Sequence, residues 1–429
     1  MSITLDPSEA GALIEARLGR PPEDAYEAAV VLEAWGGERA GTVFRLSSEA
    51  VRHAGGRNRV EGTREADAGP ERTAADGVAT LLSVVGLAAW STPLADALGS
   101  DEATAFGLAL PLALALQWAV RSRYRIVGKR RLVGLRHDLP EAAAAAATGT
   151  LAAWLSLGRA GLVAALLVLV WAGGSVVARA GWGWFQATTV GVVAVALNLA
   201  APILEVLGVA AAVTVAAVVA ASLREDPDAP PGPGVLACAG AASGLLLGLL
   251  LTADSSIEWG TAWVLGVALV PSVLAALWTG VYLSTVHVRL VDELTAVRPR
   301  RPGLRSTGLR LLGGAGLRYL GCCAALSVAV SLLVTSTEPS IRVLMLAFGL
   351  VGILSTGVAL LEALGWRVAA VGAMAAASAT AITLAQTGPD TAGEPVVVGA
   401  AVGAAIAVSC AAIALSRPAQ LLATRLWIV

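Results

Sequence analysis

The sequence of 429 residues has few of the residue types from which most catalytic and metal sites are built. It contains 3 histidines and 4 cysteines, and only 14% of its residues are charged, against roughly a quarter in soluble proteins. The histidines have no metal-ligand spacing, and the cysteines fall in apolar stretches, where they are typical of packing residues. The chain also lacks the G-x-S-x-G motif of serine hydrolases and the G-x-x-x-x-G-K-[ST] motif that binds nucleotide phosphates. We therefore expect no enzyme activity, no metal and no cofactor.

Long apolar stretches dominate the chain instead. The mean hydropathy is +0.74, and 56% of the residues are hydrophobic. About 20 apolar residues in a helix cross a ~30 Å hydrocarbon core. We therefore predict an all-α polytopic membrane protein with about twelve transmembrane helices, placed near 77–97, 102–120, 142–158, 160–178, 184–201, 203–222, 234–253, 261–285, 311–334, 341–364, 366–386 and 396–416.

The first part of the chain is more polar than the rest. Asp6-Pro7-Ser8-Glu9 combines a capping Asp, a Pro at the first helical position and a Glu three residues after the cap, which predicts a helix start. We interpret 1–51 as a cytoplasmic segment of short helices and 52–76, rich in Arg, Gly, Glu and Asp, as a flexible linker. This polar stretch contains no secretory signal. The remaining predicted regions are two transmembrane halves, 77–222 and 234–416, and a cytoplasmic tail, 417–429.

Charge predicts the orientation of the spans. If the N-terminus is cytoplasmic, nearly all arginines near span ends lie on the inner side, and the turns with Asp and Glu lie on the outer side. Arg159 and Arg342 are the two exceptions. We therefore expect a multi-pass protein of the inner (cytoplasmic) membrane with both termini cytoplasmic.

The two halves share a sequence pattern. Gly107-Leu-Ala-Leu-Pro111 in the second span has a counterpart in Gly266-Val-Ala-Leu-Val-Pro271 in the eighth, and a tryptophan follows each proline at the same distance, Trp118 and Trp278. Both spans then enter a long basic loop, 121–141 or 286–310. An offset of six spans relates two parallel six-helix repeats by an axis along the membrane normal. Pro111 and Pro271 are predicted to kink their helices, either as flexing points for gating or to improve packing.

Few polar residues lie inside the predicted spans. Arg318, in the ninth span, is the principal candidate for substrate binding, because its planar guanidinium could bind phosphate in a cavity; alternatively it reaches to the inner interface. Gln117 and Asn198 are further candidates, although such residues also hydrogen-bond helices to one another. Asp96, Asp101 and Glu102 cluster at the first outer turn, where they are either solvated turn residues or the metal-binding acids of a transferase.

The layout of 77–416 resembles that of the multidrug/oligosaccharidyl-lipid/polysaccharide superfamily, which includes polysaccharide flippases and a Pel-type exopolysaccharide exporter subunit. The second span ends as Leu110-Pro111 through Gln117-Trp118 to Arg121, the eighth runs through Pro271 into the long linker 281–310, and three closely spaced spans end the domain. The major facilitator signature G-x-x-x-D-R-x-G-R-R is not matched, since Val127-Gly-Lys-Arg-Arg-Leu132 lacks its Asp-Arg pair.

The resemblance implies a flippase that moves a polysaccharide or lipid-linked saccharide across the cytoplasmic membrane by alternating access. Its expected partners are membrane lipids, the saccharide substrate and a cytoplasmic glycosyltransferase docked on 1–51, with no nucleic acid. Three alternatives remain: a major-facilitator-type antiporter of small solutes, a non-transporting membrane scaffold subunit of a synthesis complex, and an integral-membrane transferase. A seam between the halves that is tightly packed with Gly and Ala and encloses no cavity would favour the scaffold.

Overall fold

A computed structural model describes residues 70–127, 131–224, 234–254, 267–282, 304–333, 339–387 and 393–416, together with residues 10–12, 14, 28, 29, 31, 32 and 47. The predictions for the N-terminal segment, for most of the linker, for the loop 286–310 up to residue 303 and for the tail 417–429 lie largely or wholly outside the described residues.

The described chain is helical apart from one small hairpin and short turns. The helices are α1 (Pro70–Leu98), α2 (Glu102–Arg123), α3 (Leu135–Val177), α4 (Gly183–Asn198), α5 (Ile203–Ser222), α6 (Gly234–Thr252), α7 (Val267–Tyr282), α8 (Leu304–Leu333), α9 (Pro339–Ala363), α10 (Arg367–Gln386) and α11 (Glu394–Leu415). Within the described residues, 9 helices are long and apolar enough to cross a membrane. The prediction of an all-α polytopic membrane protein is therefore confirmed at this level.

The longest apolar run, Leu135–Asn198, is interrupted twice. Gly158 has φ 57° and ψ −130°, and Gly181, in the short π-helical turn Ala178–Trp182, has φ 92°. A β-carbon on Gly161 would overlap the carbonyl oxygen of Ala153, although a continuous helix would hold these positions about 12 Å apart along its axis. The chain therefore folds back sharply at Gly158, where glycine permits a backbone conformation that other residues rarely adopt.

Beyond α2 the chain forms a short antiparallel hairpin, β1 (Arg125–Val127) and β2 (Arg131–Val133), which was not predicted from the sequence. A carboxylate closes the base of this hairpin. Asp138 in the first turns of α3 accepts hydrogen bonds from Arg123 (2.8 Å, Nη2 to Oδ1) and from the Tyr124 hydroxyl (2.6 Å), and Arg123 Nε lies 2.6 Å from Oδ2. The end of α2 is thereby tied to the start of α3.

Two hydrophobic cores lie in different parts of the chain. The first is built from α1–α5 and contains the fully buried Trp90, whose indole N–H donates to the carbonyl of Val190 at 3.0 Å. The second is built from α6–α11 and takes in Leu114 and Trp118 of α2. The helix α2 therefore contributes to both cores.

The first helix begins within the predicted linker. Its first residue is Pro70, so 70–76 are helical. Proline suits the first helical position, because its missing N–H has no partner there in any case. The shortage of aliphatic residues in this stretch correctly indicates that it is polar. It does not indicate whether the backbone is helical.

Candidate functional site

Arg318, the principal predicted substrate contact, lies on an exposed face of α8. Its guanidinium carbon sits 3.7 Å from the ring centroid of Tyr282, the last residue of α7, and Nη1 reaches the carbonyl of Gly314 at 3.4 Å. A cation over an aromatic face is held by the quadrupole of the ring. The position joins α7 to α8, and its role in substrate binding stays a prediction.

Gln117 and Asn198 both donate to main-chain carbonyls of neighbouring helices. Gln117 Nε2 lies 3.0 Å from the carbonyl oxygen of Trp171 in α3, and Asn198 Nδ2 lies 3.2 Å from that of Ala89 in α1. Both amides have the geometry of the helix-to-helix bonds that polar residues form within bundles. The structure gives Arg318, Gln117 and Asn198 three different sets of neighbours, so no contact between them assembles a site.

The two predicted flexing points are both buried, and they sit in different environments. Around Pro111, α2 continues as a helix, and Gly248 of α6 packs directly on the proline; a β-carbon at Gly248 would overlap Pro111 Cα. Pro271 lies in α7, near the first described residue of that helix. Flexing at either proline stays a prediction.

The contact at Pro111 belongs to a longer seam between α2 and α6. Gly240, Gly244 and Gly248 recur every four residues and so share one face of α6. A β-carbon at Gly240 would overlap the carbonyl of Trp118, and one at Gly244 would overlap the carbonyl of Leu114. Small residues at this spacing allow two helix backbones to approach closely. We call Gly240, Gly244 and Gly248 with the α2 residues that they face the glycine seam.

A charged cluster lies beside the end of the glycine seam that the charge pattern predicts to be the inner one. Arg121 in the last turn of α2 and Arg179 in the turn after α3 come from the first predicted half. Glu362 in the last turn of α9 and Arg367 at the start of α10 come from the second. Glu362 is close enough to interact electrostatically with Arg121, Arg367 and the buried Ser243 of α6, and Arg121 is close enough to repel Arg179. We call these five residues the inner charge cluster.

The inner charge cluster is only partly satisfied. Arg121 also sits over the ring of Trp118, with its guanidinium carbon 5.2 Å from the centroid. In the described part of the chain, the buried Arg179 Nε has no hydrogen-bond partner, and the Glu362 carboxylate and the Ser243 hydroxyl lie near one another without full hydrogen-bond geometry. Buried polar atoms without partners are uncommon in native structures and point to water, an ion or a second arrangement of the site. The cluster can therefore hold water or an anion, or rearrange.

The opposite end of the bundle has a different polar contact between helices. Asp254, which follows α6 and is 3% exposed, accepts a 2.6 Å hydrogen bond from the backbone N–H of Gly393, at the start of α11. Gly393 has φ 88°, a conformation that favours glycine. This carboxylate, which was predicted to lie in an outer turn, is buried and joins the end of α6 to the start of α11.

The acids at the first outer turn form no converging site among the residues described. Asp96 is exposed near the end of α1, the half-buried Asp101 ends the short helical turn Gly99–Asp101 that joins α1 to α2, and the side chain of Glu102 lies outside the described residues. No group of three or more His, Cys, Asp or Glu side chains that could hold a metal occurs within the described ranges. The expectation that the protein is not an enzyme stays a prediction.

The sequence carried a signal for the glycine seam that the prediction overlooked. In the Gly-rich stretch 313–321, by contrast, Gly313, Gly316 and Gly321 have open space around them, and only Gly314 packs closely, against the Tyr282 hydroxyl. The spacing of three glycines at four-residue intervals within one span is the stronger signal. The sequence indicates the inner charge cluster only weakly. Its charged residues lie at those ends of the predicted spans that face the inner turns.

Comparison with models of known protein families, with curated proteins and with solved structures finds no match for this chain. The resemblance to the polysaccharide flippase superfamily therefore stays an expectation from the sequence layout.

Proposed function

We propose that this protein is a membrane transporter in which two six-helix halves open alternately to the two sides of the membrane. The observation that carries the proposal is the inner charge cluster, since both halves contribute charged groups to it and its buried polar atoms are only partly hydrogen-bonded. Such a cluster can stabilise contact between two bodies at one end of a bundle while leaving that contact easy to break.

The count of twelve crossings is part of the proposal. The breaks at Gly158 and Gly181 divide Leu135–Asn198 into three segments, and α7 is a shorter apolar helix of the kind predicted for the eighth span. Gln186 supports the second reversal, because its side-chain amide reaches the carbonyl of Val170 at 3.5 Å although the two residues are far apart along a straight helix. Six segments then precede residue 225 and six follow it.

The helix pairings support a repeat at an offset of six spans. In the first half the first span packs on the fifth, as α1 on α4, and in the second half the seventh packs on the eleventh, as α6 on α10. The fifth also packs on the sixth and the eleventh on the twelfth. A side-chain hydrogen bond joins the helices of α1 with α4 and of α6 with α10. The Trp90 indole of α1 donates to the carbonyl of Val190 in α4, and the Ser378 hydroxyl of α10 donates to the carbonyl of Leu246 in α6 at 2.6 Å.

Contacts between the halves also fit a two-fold relation. The glycine seam joins the second span to the seventh. Under an offset of six spans, its symmetry mate joins the eighth span to the first. Gly77 of α1 lies against Leu277 of α7, with 3.6 Å from the position of an added β-carbon to the leucine side chain. In the proposed arrangement a two-fold axis along the membrane normal relates these two interfaces, and the halves rock on them.

The proposed substrate, a polysaccharide or a lipid-linked saccharide, rests on the resemblance in sequence layout. A strain from which this gene is deleted should lose surface polysaccharide export, and the wild-type gene should restore it. Arg318→Ala should lower export if the guanidinium contacts substrate, whereas Arg159→Ala, at an exposed outer position, should not. Unchanged export in the deletion strain would refute the saccharide substrate.

A membrane scaffold is the second candidate function, and the glycine seam is the observation that favours it. The seam brings backbone against backbone, as in permanent helix pairs. A scaffold needs no opening between the halves, so it predicts that locking the seam has no effect on activity.

A reversible lock between the halves tests the transport mechanism. A β-carbon at Gly240 would lie 2.9 Å from Ser122 Cβ and would also overlap the Trp118 carbonyl, so Gly240→Cys with Ser122→Cys, in a background with the native cysteines replaced, should form a disulfide once the seam widens by about 1 Å. We expect oxidation to stop export and reduction to restore it. Each single cysteine variant is the control. Full export in the oxidised double variant would favour the scaffold.

A further inference from the structure

An apolar groove of about 510 Å³ lies between α8 and α9, within the second half. Its volume falls in the range of small-ligand sites, which is roughly 300–1,000 Å³. The residues lining it run from Tyr319 to Leu332 on α8 and from Arg342 to Ile353 on α9. The lining is aliphatic for the most part, with two serines, one cysteine and one arginine.

The groove has a closed end and an open side. At the closed end the Tyr319 hydroxyl donates to the carbonyl of Gly349 at 3.0 Å, and the tyrosine is 3% exposed. Along the open side, Val328 is 59% exposed and Leu332 76% exposed. The stretch from Tyr319 to Leu332 covers about 20 Å of helix, somewhat more than half of a ~30 Å hydrocarbon core. Both walls are helices that could cross a membrane, so this side of the groove faces hydrocarbon.

Arg342 stands at the other end of the groove, near the start of α9. It is exposed and forms no ion pair with any described residue. It is also one of the two arginines that the charge pattern places on the outer side, where arginine is disfavoured. An apolar channel that ends at a cation with no ion-pair partner among the described residues is complementary to an acyl chain that ends in an anionic headgroup.

We propose that this groove binds one acyl chain of an anionic phospholipid, with the headgroup phosphate on Arg342. The guanidinium presents a planar fork of donors that matches phosphate oxygens, and the aliphatic wall of the groove covers the chain. This inference does not depend on the transport mechanism, since none of the residues that line the groove belongs to the inner charge cluster. An anionic phospholipid supplies both complementary parts, an acyl chain and a phosphate, in one molecule, and for that reason we favour it over a second protein copy.

Photo-crosslinking of the full-length protein tests the proposal. The protein is reconstituted in phosphatidylcholine vesicles that carry a minor fraction of phosphatidylglycerol with a diazirine in its acyl chain, and labelled peptides are mapped by mass spectrometry. We expect label on the α8 and α9 residues that line the groove. The same probe with a phosphatidylcholine headgroup should label them about fivefold less, which is the preference expected from one arginine beside an anionic lipid.

Variants at Arg342 separate the headgroup contact from general lipid exposure. Arg342→Gln should reduce the preference for phosphatidylglycerol to near unity, while Arg342→Lys should retain most of it. Arg159→Gln, which alters the other outward arginine, should leave labelling of the groove unchanged and shows that the loss is specific. Equal labelling by the two headgroups in the wild-type protein, an unchanged preference in Arg342→Gln, or crosslinks from the groove to another part of this chain or to a second copy would overturn the proposal.

Discussion

Two arginines interact with the single carboxylate of the inner charge cluster, and a third lies beside one of them. Glu362 interacts with Arg121 and Arg367, and Arg179 adds a further positive charge beside Arg121. Like charges repel strongly where water is scarce, so the arginines alone would push the two halves apart at this end. The carboxylate of Glu362 offsets that repulsion and should therefore stabilise the contact between the halves.

Replacing that carboxylate should therefore weaken the contact. We expect Glu362→Gln to lower the free energy of unfolding by about 1–3 kcal/mol, because the neighbouring arginines lose their only acidic neighbour within the cluster. A thermal melt of the purified protein in detergent measures the change. Adding Arg121→Gln to Glu362→Gln should recover part of the loss, since it removes one of the repelling cations.

Glu205→Gln is the matched control, because Glu205 is an exposed carboxylate in the first turn of α5 and should shift the melt very little. Equal melts for Glu362→Gln and Glu205→Gln would mean that the cluster does not depend on this charge.

A second residue-scale prediction concerns Asp138. Its carboxylate accepts hydrogen bonds from both Arg123 and the Tyr124 hydroxyl. Asp138→Ala removes both bonds and should destabilise the junction of α2 and α3 by about 1–3 kcal/mol. His137→Ala, at the exposed neighbouring position, should change stability by less than about 0.5 kcal/mol. Proteolysis between α2 and α3, followed by gel electrophoresis, should be faster in Asp138→Ala alone. The same rate in both variants would show that the contact does not stabilise the hairpin.

At the level of helices, the glycine seam predicts that replacing a glycine by alanine destabilises the protein on α6 but not on α2. Gly244→Ala places a methyl group on the carbonyl of Leu114 and should cost about 1–3 kcal/mol through overpacking. Gly107→Ala, on the facing helix, meets open space and should be neutral or slightly stabilising because alanine favours helix. Thermal melts of the two variants measure the difference, and equal melting temperatures would contradict the packing.

Helix positions were predictable because apolar length and charged interruptions fix them. The span predicted at 203–222 is the helix Ile203–Ser222, and the break at Gly158 falls where the turn was placed. The hairpin after α2 was missed, since its strands have three residues each and give almost no periodic signal. The inner charge cluster was beyond prediction, because its members are distant in sequence and only the fold brings them together.

For the whole molecule, the duplicated pairing of helices suggests that the two halves move as bodies. Each half holds most of one hydrophobic core, α2 adds Leu114 and Trp118 to the second core, and the described contacts between the halves include the glycine seam, Gly77 with Leu277, and the inner charge cluster. A change of the angle between the halves would therefore repack mainly the part of the second core that lies against α2.

Distances between spin labels on the two halves test this account most directly. One pair, His137→Cys with Val368→Cys, joins exposed positions at the inner end, and another, Leu199→Cys with Gln386→Cys, joins exposed positions at the outer end. Double electron–electron resonance in lipid nanodiscs should give two distance populations for each pair. At the inner end, Glu362→Gln should increase the population with the longer distance. At the outer end, it should increase the population with the shorter distance. A single narrow distance at both ends, unchanged by Glu362→Gln, would contradict alternating access and leave the protein a rigid scaffold.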